Sequence, residues 1–187
     1  MMTGAARLPD PPGPTECWVR DLTFGAHFGL SVLMAVADEK VMQRVIACHG
    51  EAVGRALALL DSEASFAHVG PRYMDSRGLR TAAEWHIAGV EGHPYLHSHV
   101  FVFSLVEALD GRLVPVDLRL LDDAWEAAHS TYLTVLEANA RESLSVDFED
   151  RGGERDVVGT DERLRGMWLP ARCHRGIEQR TMGPAAH

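Results

Sequence analysis

Hydrophobic and polar residues recur with two different periods along the chain, which predicts a mixture of strands and helices. Three segments, "CWVRDLTF" (17–24), "TAAEWHIAGV" (81–90) and "LHSHVFVFSLV" (96–106), are rich in β-forming residues, so each is predicted to be a strand. Apolar residues over 26–37 suit a short buried helix. The chain is therefore expected to start as a strand followed by a helix, with two further strands near its middle.

Longer helices are predicted where apolar residues recur at helical spacing after a capping aspartate. Asp38 precedes the segment "EKVMQRVIACHGEAVGRALALLDSE", which has that spacing. Asp122 or Asp123 is predicted to start the helix "AWEAAHSTYLTVLEANAR". A terminal helix is predicted over roughly 160–179.

Turn-forming residues separate these elements. Residues 64–80 are predicted as a loop, because Gly70, Pro71 and Gly78 interrupt any regular pattern. The segment "LDGRL" supplies an Asp-Gly hairpin turn into "LVPVDLRLL", and "SLSVDFED-RGG-ERDVVG" predicts a second hairpin. The whole pattern predicts an α/β (α+β) fold class, in which helices pack on an antiparallel sheet.

Length and composition predict one domain without disulfides. The 187 residues are 46% hydrophobic and 24% charged, which is ordinary for a globular protein. We predict a flexible proline-rich leader over 1–16, a single domain over 17–180 and a flexible tail over 181–187. The three cysteines are odd in number and lack metal-type spacing, which favours reduced thiols and a cytoplasmic location. No apolar run has membrane-spanning length, so no membrane association is expected.

Three histidines on two neighbouring predicted strands are the candidates for a metal site. His97 and His99 are two residues apart, so their side chains point to the same face of a strand. His86 lies on the preceding strand, and pairing of the two strands would bring it to the same pocket. Three neutral imidazoles with an open position are typical of a catalytic metal site. The spacing alone also fits histidines with only a packing or surface role.

Two more side chains share this predicted face. Glu84 lies two residues before His86 and could serve as a fourth ligand, as an orienting partner of a ligand or as a proton acceptor. Tyr95 lies two residues before His97, where it either positions a substrate or packs at the entry of the strand.

Taken together, these segments resemble the relaxase domain of TrwC-like (MobF-class) conjugative relaxases. The resemblance runs from "RDLTFGAHFGLSVLMAVADE" through "HGEAVGRALALLD" and "EWHIAGVEGHPYLHSHVFVFSLVEALDGRLVPVD" to "ERDVVGTDERLRGMW", about residues 20–180 in order. It implies a two-layer, relaxase-like palm in which helices pack on an antiparallel sheet of about five strands. It also implies that His86, His97 and His99 surround one divalent transition metal ion, and that Asp21 lies close by and assists proton transfer.

The sequence departs from this family at positions that act on DNA. Relaxases nick DNA through tyrosines that precede the "DLTF" strand, whereas the first tyrosine of this chain is Tyr73. The family usually continues "DLTF" with Ser-Ala-Pro-Lys-Ser; here Phe28 replaces the lysine and His27 is new. The net charge of −9 argues against a broad nucleic-acid surface, although it is compatible with a local basic groove. These departures predict that the metal site is retained while the nucleophile and much of the phosphate-binding apparatus are lost.

The main hypothesis is a metalloenzyme on the relaxase fold that acts on a small-molecule substrate in bacterial specialised metabolism. Water or substrate activated by the metal would react with Asp21 or Glu84 as the base, and His27, Phe28 and Tyr95 would contact the substrate. Imidazole ligands suit Zn, Mn, Fe, Ni or Cu, so hydrolytic and redox chemistry both stay open.

Two alternatives remain beside this hypothesis. The first is a DNA-processing protein of conjugative or mobile elements, either a truncated relaxase or a nuclease that uses water in place of tyrosine. The second is a metal-stabilised protein that binds a partner and catalyses nothing. A small-molecule partner is expected before nucleic acid, and the sequence predicts no oligomeric state.

Overall fold

The computed structural model describes residues 18–69, 72–89, 91–168 and 177–181. The predicted leader over 1–16 lies outside these residues, and so does the predicted tail apart from its first residue. The described strands, numbered in chain order, are β1 Trp18–Gly25, β2 Ala67–Val69, β3 Arg72–Met74, β4 Thr81–Ala88, β5 Pro94–Phe103, β6 Leu105–Glu107, β7 Leu113–Pro115, β8 Phe148–Asp150, β9 Arg155–Val157 and β10 Ile177–Thr181. The described helices are α1 Phe28–Val36, α2 Glu39–Ala64, α3 Leu118–Leu144 and α4 Glu162–Trp168.

The main sheet is antiparallel and has the strand order β10-β1-β5-β4. It contains four strands in the described part of the chain, where the sequence led us to expect about five. The short strands form separate two-stranded hairpins, β2-β3, β6-β7 and β8-β9. The mixed fold predicted from the pattern, with helices on an antiparallel sheet, is confirmed. Among the described helices, none is both long and apolar enough to span a membrane.

The two long helices cover one face of the main sheet. The β1 side chains Leu22 and Phe24 point to that face and are fully buried. The ring centroid of Phe24 lies 5.1 Å from that of Trp125 and 5.3 Å from that of Tyr132, both on α3. Asp21 alternates with these residues and therefore points to the opposite face. The helical layer thus leaves that second face available for the histidines.

Both long helices begin at a capping aspartate, but only α2 begins at the predicted one. The Asp38 carboxylate accepts a hydrogen bond from the Val41 N–H at 2.9 Å, as predicted. In α3 the cap is Asp117, whose carboxylate accepts the Arg119 N–H at 2.9 Å. Residues 118–121, predicted as the end of a strand, therefore form the first turn of the helix.

Three further predictions differ from the structure. Asp122, one of the two predicted caps, lies inside α3, where it forms an ion pair at 3.0 Å with Arg20 of β1. The terminal helix predicted over 160–179 is wrong, because α4 ends at Trp168 and β10 pairs with β1. The predicted loop over 64–80 contains the β2-β3 hairpin.

Candidate metal centre

The register of β4 and β5 brings the three predicted ligands together. His86 lies directly opposite His97, and Glu84 lies opposite His99. Residues opposite each other in an antiparallel pair point to the same face. The three imidazoles consequently form a group, the histidine triad, whose potential ligand atoms all lie within 4.8 Å of one another. Their ring centroids are 5.1 to 5.5 Å apart.

Hydrogen bonds behind the rings orient two of these imidazoles. His99 Nδ1 donates to Oδ1 of Asp21 at 2.9 Å, and Oγ1 of Thr23 lies 3.3 Å from the same nitrogen. His97 Nδ1 donates to the backbone oxygen of Tyr95 at 3.0 Å. In both rings the engaged Nδ1 leaves Nε2 available as the ligand atom. An acceptor behind a ligating histidine fixes its tautomer and its orientation.

The donor set of the triad fits a divalent transition metal. A metal–nitrogen bond is about 2 Å long, so small side-chain rotations bring three atoms within 4.8 Å onto one ion. Burial lowers the pKa of His97, and the neighbouring His99 and His86 lower it further. A lowered pKa favours the neutral imidazole, which is the form that ligates a metal. The side chain of His86 is 44% exposed, so the group is open to solvent on that side.

The two predicted catalytic carboxylates occupy different environments. Asp21 is 1% exposed, and its carboxylate contacts Nδ1 of His99, the nitrogen that is not the proposed ligand atom. Glu84 is exposed, and its Oε1 lies 4.0 Å from Nε2 of His86, which is longer than a hydrogen bond. Glu84 therefore lies at the exposed rim of the triad, and Asp21 lies on the buried side of His99.

Tyr95 packs against the triad. Its ring is stacked on that of His97, with the centroids 4.3 Å apart and the planes 14° from parallel. The residue opposite His97 on β1 is Gly25, and a Cβ there would lie 2.3 Å from Oη of Tyr95. The glycine therefore makes room for this buried ring beside the metal centre.

A family comparison identifies the type of protein to which this centre belongs. The model of the TrwC relaxase family matches residues 13–175. The chain belongs to the TrwC relaxase family. No curated protein matches it in sequence. The resemblance inferred from the "DLTF" strand and the histidine segment is thereby confirmed.

Solved structures of TrwC share the fold of this family member. A metal-bound structure of the conjugative relaxase TrwC with OriT DNA has a TM-score of 0.69 and 21% identity, and the match covers 82% of this chain and 57% of that chain. A metal-free TrwC complex with OriT DNA has a TM-score of 0.68 and 22% identity, and the match covers 81% of this chain and 57% of that chain. A TrwC complex with a 27-mer DNA comprising the recognition hairpin and the cleavage site has a TM-score of 0.67 and 22% identity, and the match covers 81% of this chain and 58% of that chain. The chain thus spans less than two thirds of the TrwC structures it matches.

Membership of the TrwC family corrects the predicted function and partner. The main hypothesis, a small-molecule enzyme of specialised metabolism, is wrong, because the family model over 13–175 is that of a relaxase. The preference for a small-molecule partner over nucleic acid is wrong as well, since the matched TrwC structures contain DNA. The error came from giving the absence of a tyrosine before "DLTF", the missing lysine at Phe28 and the acidic net charge more weight than the resemblance to relaxases along the whole chain.

His27 and Phe28, predicted to contact substrate, make contacts with residues outside the triad in this TrwC-family chain. His27 is buried, with Nε2 3.4 Å from Oε1 of Glu137 and its ring centroid 5.1 Å from that of Phe148. Phe28 begins α1, and the guanidinium of Arg165 lies over its ring at 5.9 Å. The described contacts of both residues therefore connect α1 with α3 and with the segment that follows it.

Sequence reasoning missed a buried polar chain beneath the triad. His49 on α2 is not among the predicted site residues, and it is 2% exposed. Its Nε2 lies 2.7 Å from Oγ of Ser98, and its Nδ1 lies 2.9 Å from Oη of Tyr132. Burial lowers the pKa of His49 to about 4, and the nearby His97 lowers it as well. The helical spacing of His49 with the apolar Val45 and Ala52 was the available signal for this burial.

Proposed function

We propose that this chain binds a divalent transition metal through its histidine triad and uses it to cleave single-stranded DNA. The supporting observation is the triad itself, in which two of the three imidazoles are oriented from behind, within a chain of the TrwC relaxase family. The solved TrwC complexes with DNA support the choice of substrate. The proposal places the chain among DNA-processing proteins of conjugative or mobile elements.

The residues around the triad have separable roles in this proposal. Asp21 and the Tyr95 carbonyl orient His99 and His97, so that their Nε2 atoms face the open side. A divalent ion bound there would supply positive charge to the non-bridging oxygens of a phosphodiester. Glu84 is the exposed carboxylate on the same face and is the candidate to accept a proton from the attacking group.

The tyrosines of the chain bear on the identity of the attacking group. Tyr132 is fully buried and contacts His49, and Tyr73 donates a hydrogen bond to Asp117 at 2.8 Å. Tyr95 contacts the triad through the face of its ring. In these arrangements no phenol of the described chain stands in place of the tyrosines that precede "DLTF" in relaxases. We therefore propose that water is the attacking group, and we expect strand cleavage by this chain without a covalent tyrosyl–DNA product.

A cleavage assay tests this function. Purified protein, loaded in turn with Zn, Mn, Fe, Ni and Cu, is incubated at low salt with a mixed pool of labelled single-stranded oligonucleotides. We expect metal-dependent strand cleavage that His97→Ala abolishes, and no denaturation-resistant protein–DNA species. His129→Ala is the control, because His129 lies on α3 beside Trp125. Absence of cleavage with every metal, or equal cleavage by His97→Ala, would overturn the proposal.

A further inference from the structure

A row of aromatic rings runs along β5 from the triad. Alternate residues of a strand point to one face, so Phe101 and Phe103 continue the face that carries His97 and His99. The rings of Phe101 and His99 are nearly parallel, with an angle of 10° and centroids 6.2 Å apart. Both phenylalanines are partly exposed, although β5 is an inner strand of the sheet. The open face thus presents apolar rings next to the metal centre.

A positive charge lies at the far end of this row. The guanidinium carbon of Arg80 is 5.8 Å from the ring centroid of Phe103, within the range of a cation–π contact. The Phe103 N–H donates to the backbone oxygen of Arg80 at 2.9 Å, which keeps the arginine beside the ring. The Arg80 side chain is exposed. Its charge is therefore accessible to an anionic ligand that lies along the row.

The cross-strand neighbours leave the first ring accessible. Phe101 lies opposite Ala82 on β4 and opposite Asp21 on β1. The Ala82 side chain is a single methyl group, and Asp21 is turned to His99. A planar group can consequently approach the face of Phe101 from the side of β4.

We propose that Phe101, Phe103 and Arg80, the aromatic platform, bind single-stranded DNA next to the metal centre, with the two phenylalanine rings stacking on bases and the arginine contacting a backbone phosphate. The proposal rests on the proposed function, since it assumes that the triad acts on such a strand. Two residues of β-strand span about 7 Å, whereas stacked bases in a duplex rise about 3.4 Å. The platform therefore suits an extended strand whose bases are separated from one another. Because every base has an aromatic face, the platform binds with little sequence preference.

The opposite face of the sheet provides a matched control. Trp85 on β4 is 55% exposed, but it lies opposite Ser98, whose hydroxyl contacts His49 beneath the sheet. Its indole therefore belongs to the face away from the triad. Loss of this ring removes a comparable exposed aromatic group from the same sheet without touching the platform.

Binding of DNA without metal tests the platform. The affinity of the full chain for a labelled oligo-dT of about twelve nucleotides is measured by fluorescence anisotropy in the presence of EDTA. We expect Phe101→Leu and Phe103→Leu each to weaken binding roughly tenfold, because each removes one base-stacking surface. Trp85→Leu should stay within about twofold of the wild type. Thermal unfolding of each variant checks that the fold is kept.

A second arm uses the unaltered protein and needs no substitution to fold. An abasic oligonucleotide of the same length retains the phosphates and lacks the bases. We expect the wild-type chain to bind the abasic oligonucleotide at least tenfold more weakly than oligo-dT. The Phe101→Leu/Phe103→Leu double variant should bind the abasic oligonucleotide with nearly the same affinity as the wild type does. Equal binding of the two oligonucleotides, unchanged binding by the leucine variants, or an equal loss with Trp85→Leu would overturn the platform.

The platform and the proposed function fail in different ways. Metal-dependent cleavage together with unchanged DNA binding by the leucine variants overturns the platform and retains the function. Base-dependent binding that the leucine variants lose, in a protein that cleaves no DNA with any metal, retains the platform and overturns the function. A wild-type chain that binds no oligo-dT overturns the platform, whatever the result of the cleavage assay.

Discussion

Acid should weaken the fold of this protein through one buried histidine, His49. Its imidazole bridges Ser98 on β5 and Tyr132 on α3, and it is 2% exposed. Ser98 lies between His97 and His99, so this polar chain ties the strand of the triad to both long helices. A proton added to His49 would place a charge inside the core, where desolvation strongly disfavours it.

The size of the effect follows from the lowered pKa. Burial takes the pKa of His49 from 6.5 to about 4, which corresponds to about 3 kcal/mol of difference between the two protonation states. The unfolded chain binds a proton at His49 as the pH falls below about 6.5, whereas the folded chain does so only near pH 4. The stability that depends on neutral His49 is therefore fully present above pH 6.5. This stability declines as the pH falls from 6.5 to about 4 and falls no further below pH 4.

The loss of stability linked to His49 is measured by urea unfolding of the wild type and of His49→Gln at several values between about pH 7 and pH 4. Glutamine can keep a hydrogen bond to one neighbour and does not titrate. We expect the free energy of unfolding to fall by about 3 kcal/mol more in the wild type than in the variant across this range. His129→Gln, a partly exposed histidine of α3, is the control. Parallel curves for the wild type and His49→Gln would refute the reasoning.

Two further predictions concern the surroundings of the triad. Asp21→Asn should keep the fold but lower metal affinity about 10- to 100-fold in a chelator competition, because His99 Nδ1 loses its carboxylate partner. Unchanged metal affinity would show that this contact does not support the centre. Gly25→Ser should destabilise the chain by about 1–3 kcal/mol in thermal unfolding, because its Cβ would lie 2.3 Å from Tyr95 Oη. Adding Tyr95→Leu should relieve part of this loss, and an unchanged Tm for Gly25→Ser would contradict the account.

The grouping of the triad could be anticipated from the sequence because its geometry is local. Two residues of one strand always share a face, and a short turn makes pairing with the preceding strand the expected outcome. His86, His97 and His99 therefore needed only one correct strand pairing to meet. The capping role of Asp38 was predictable for the same reason, since the cap and its helix are adjacent in sequence.

The predictions were wrong where contacts between residues far apart in sequence determine the structure. Asp117 and Asp122 both precede helical sequence, but Asp117 accepts the Tyr73 hydroxyl, while Asp122 pairs with Arg20. The segment that becomes β10 has a helix-compatible pattern, and only its pairing with β1 makes it a strand. Net charge is a property of the whole chain and does not locate a binding face, so the acidic composition misled the choice of substrate.

The metal content of the purified chain tests the central claim most directly. Elemental analysis after exhaustive dialysis should give about one transition-metal ion per wild-type chain, and the element found also identifies the metal among Zn, Mn, Fe, Ni and Cu. The His97→Ala chain should contain almost none, and His129→Ala should retain the wild-type content. A wild-type chain without metal after incubation with each of these ions, or a His97→Ala chain with unchanged metal content, would contradict the account.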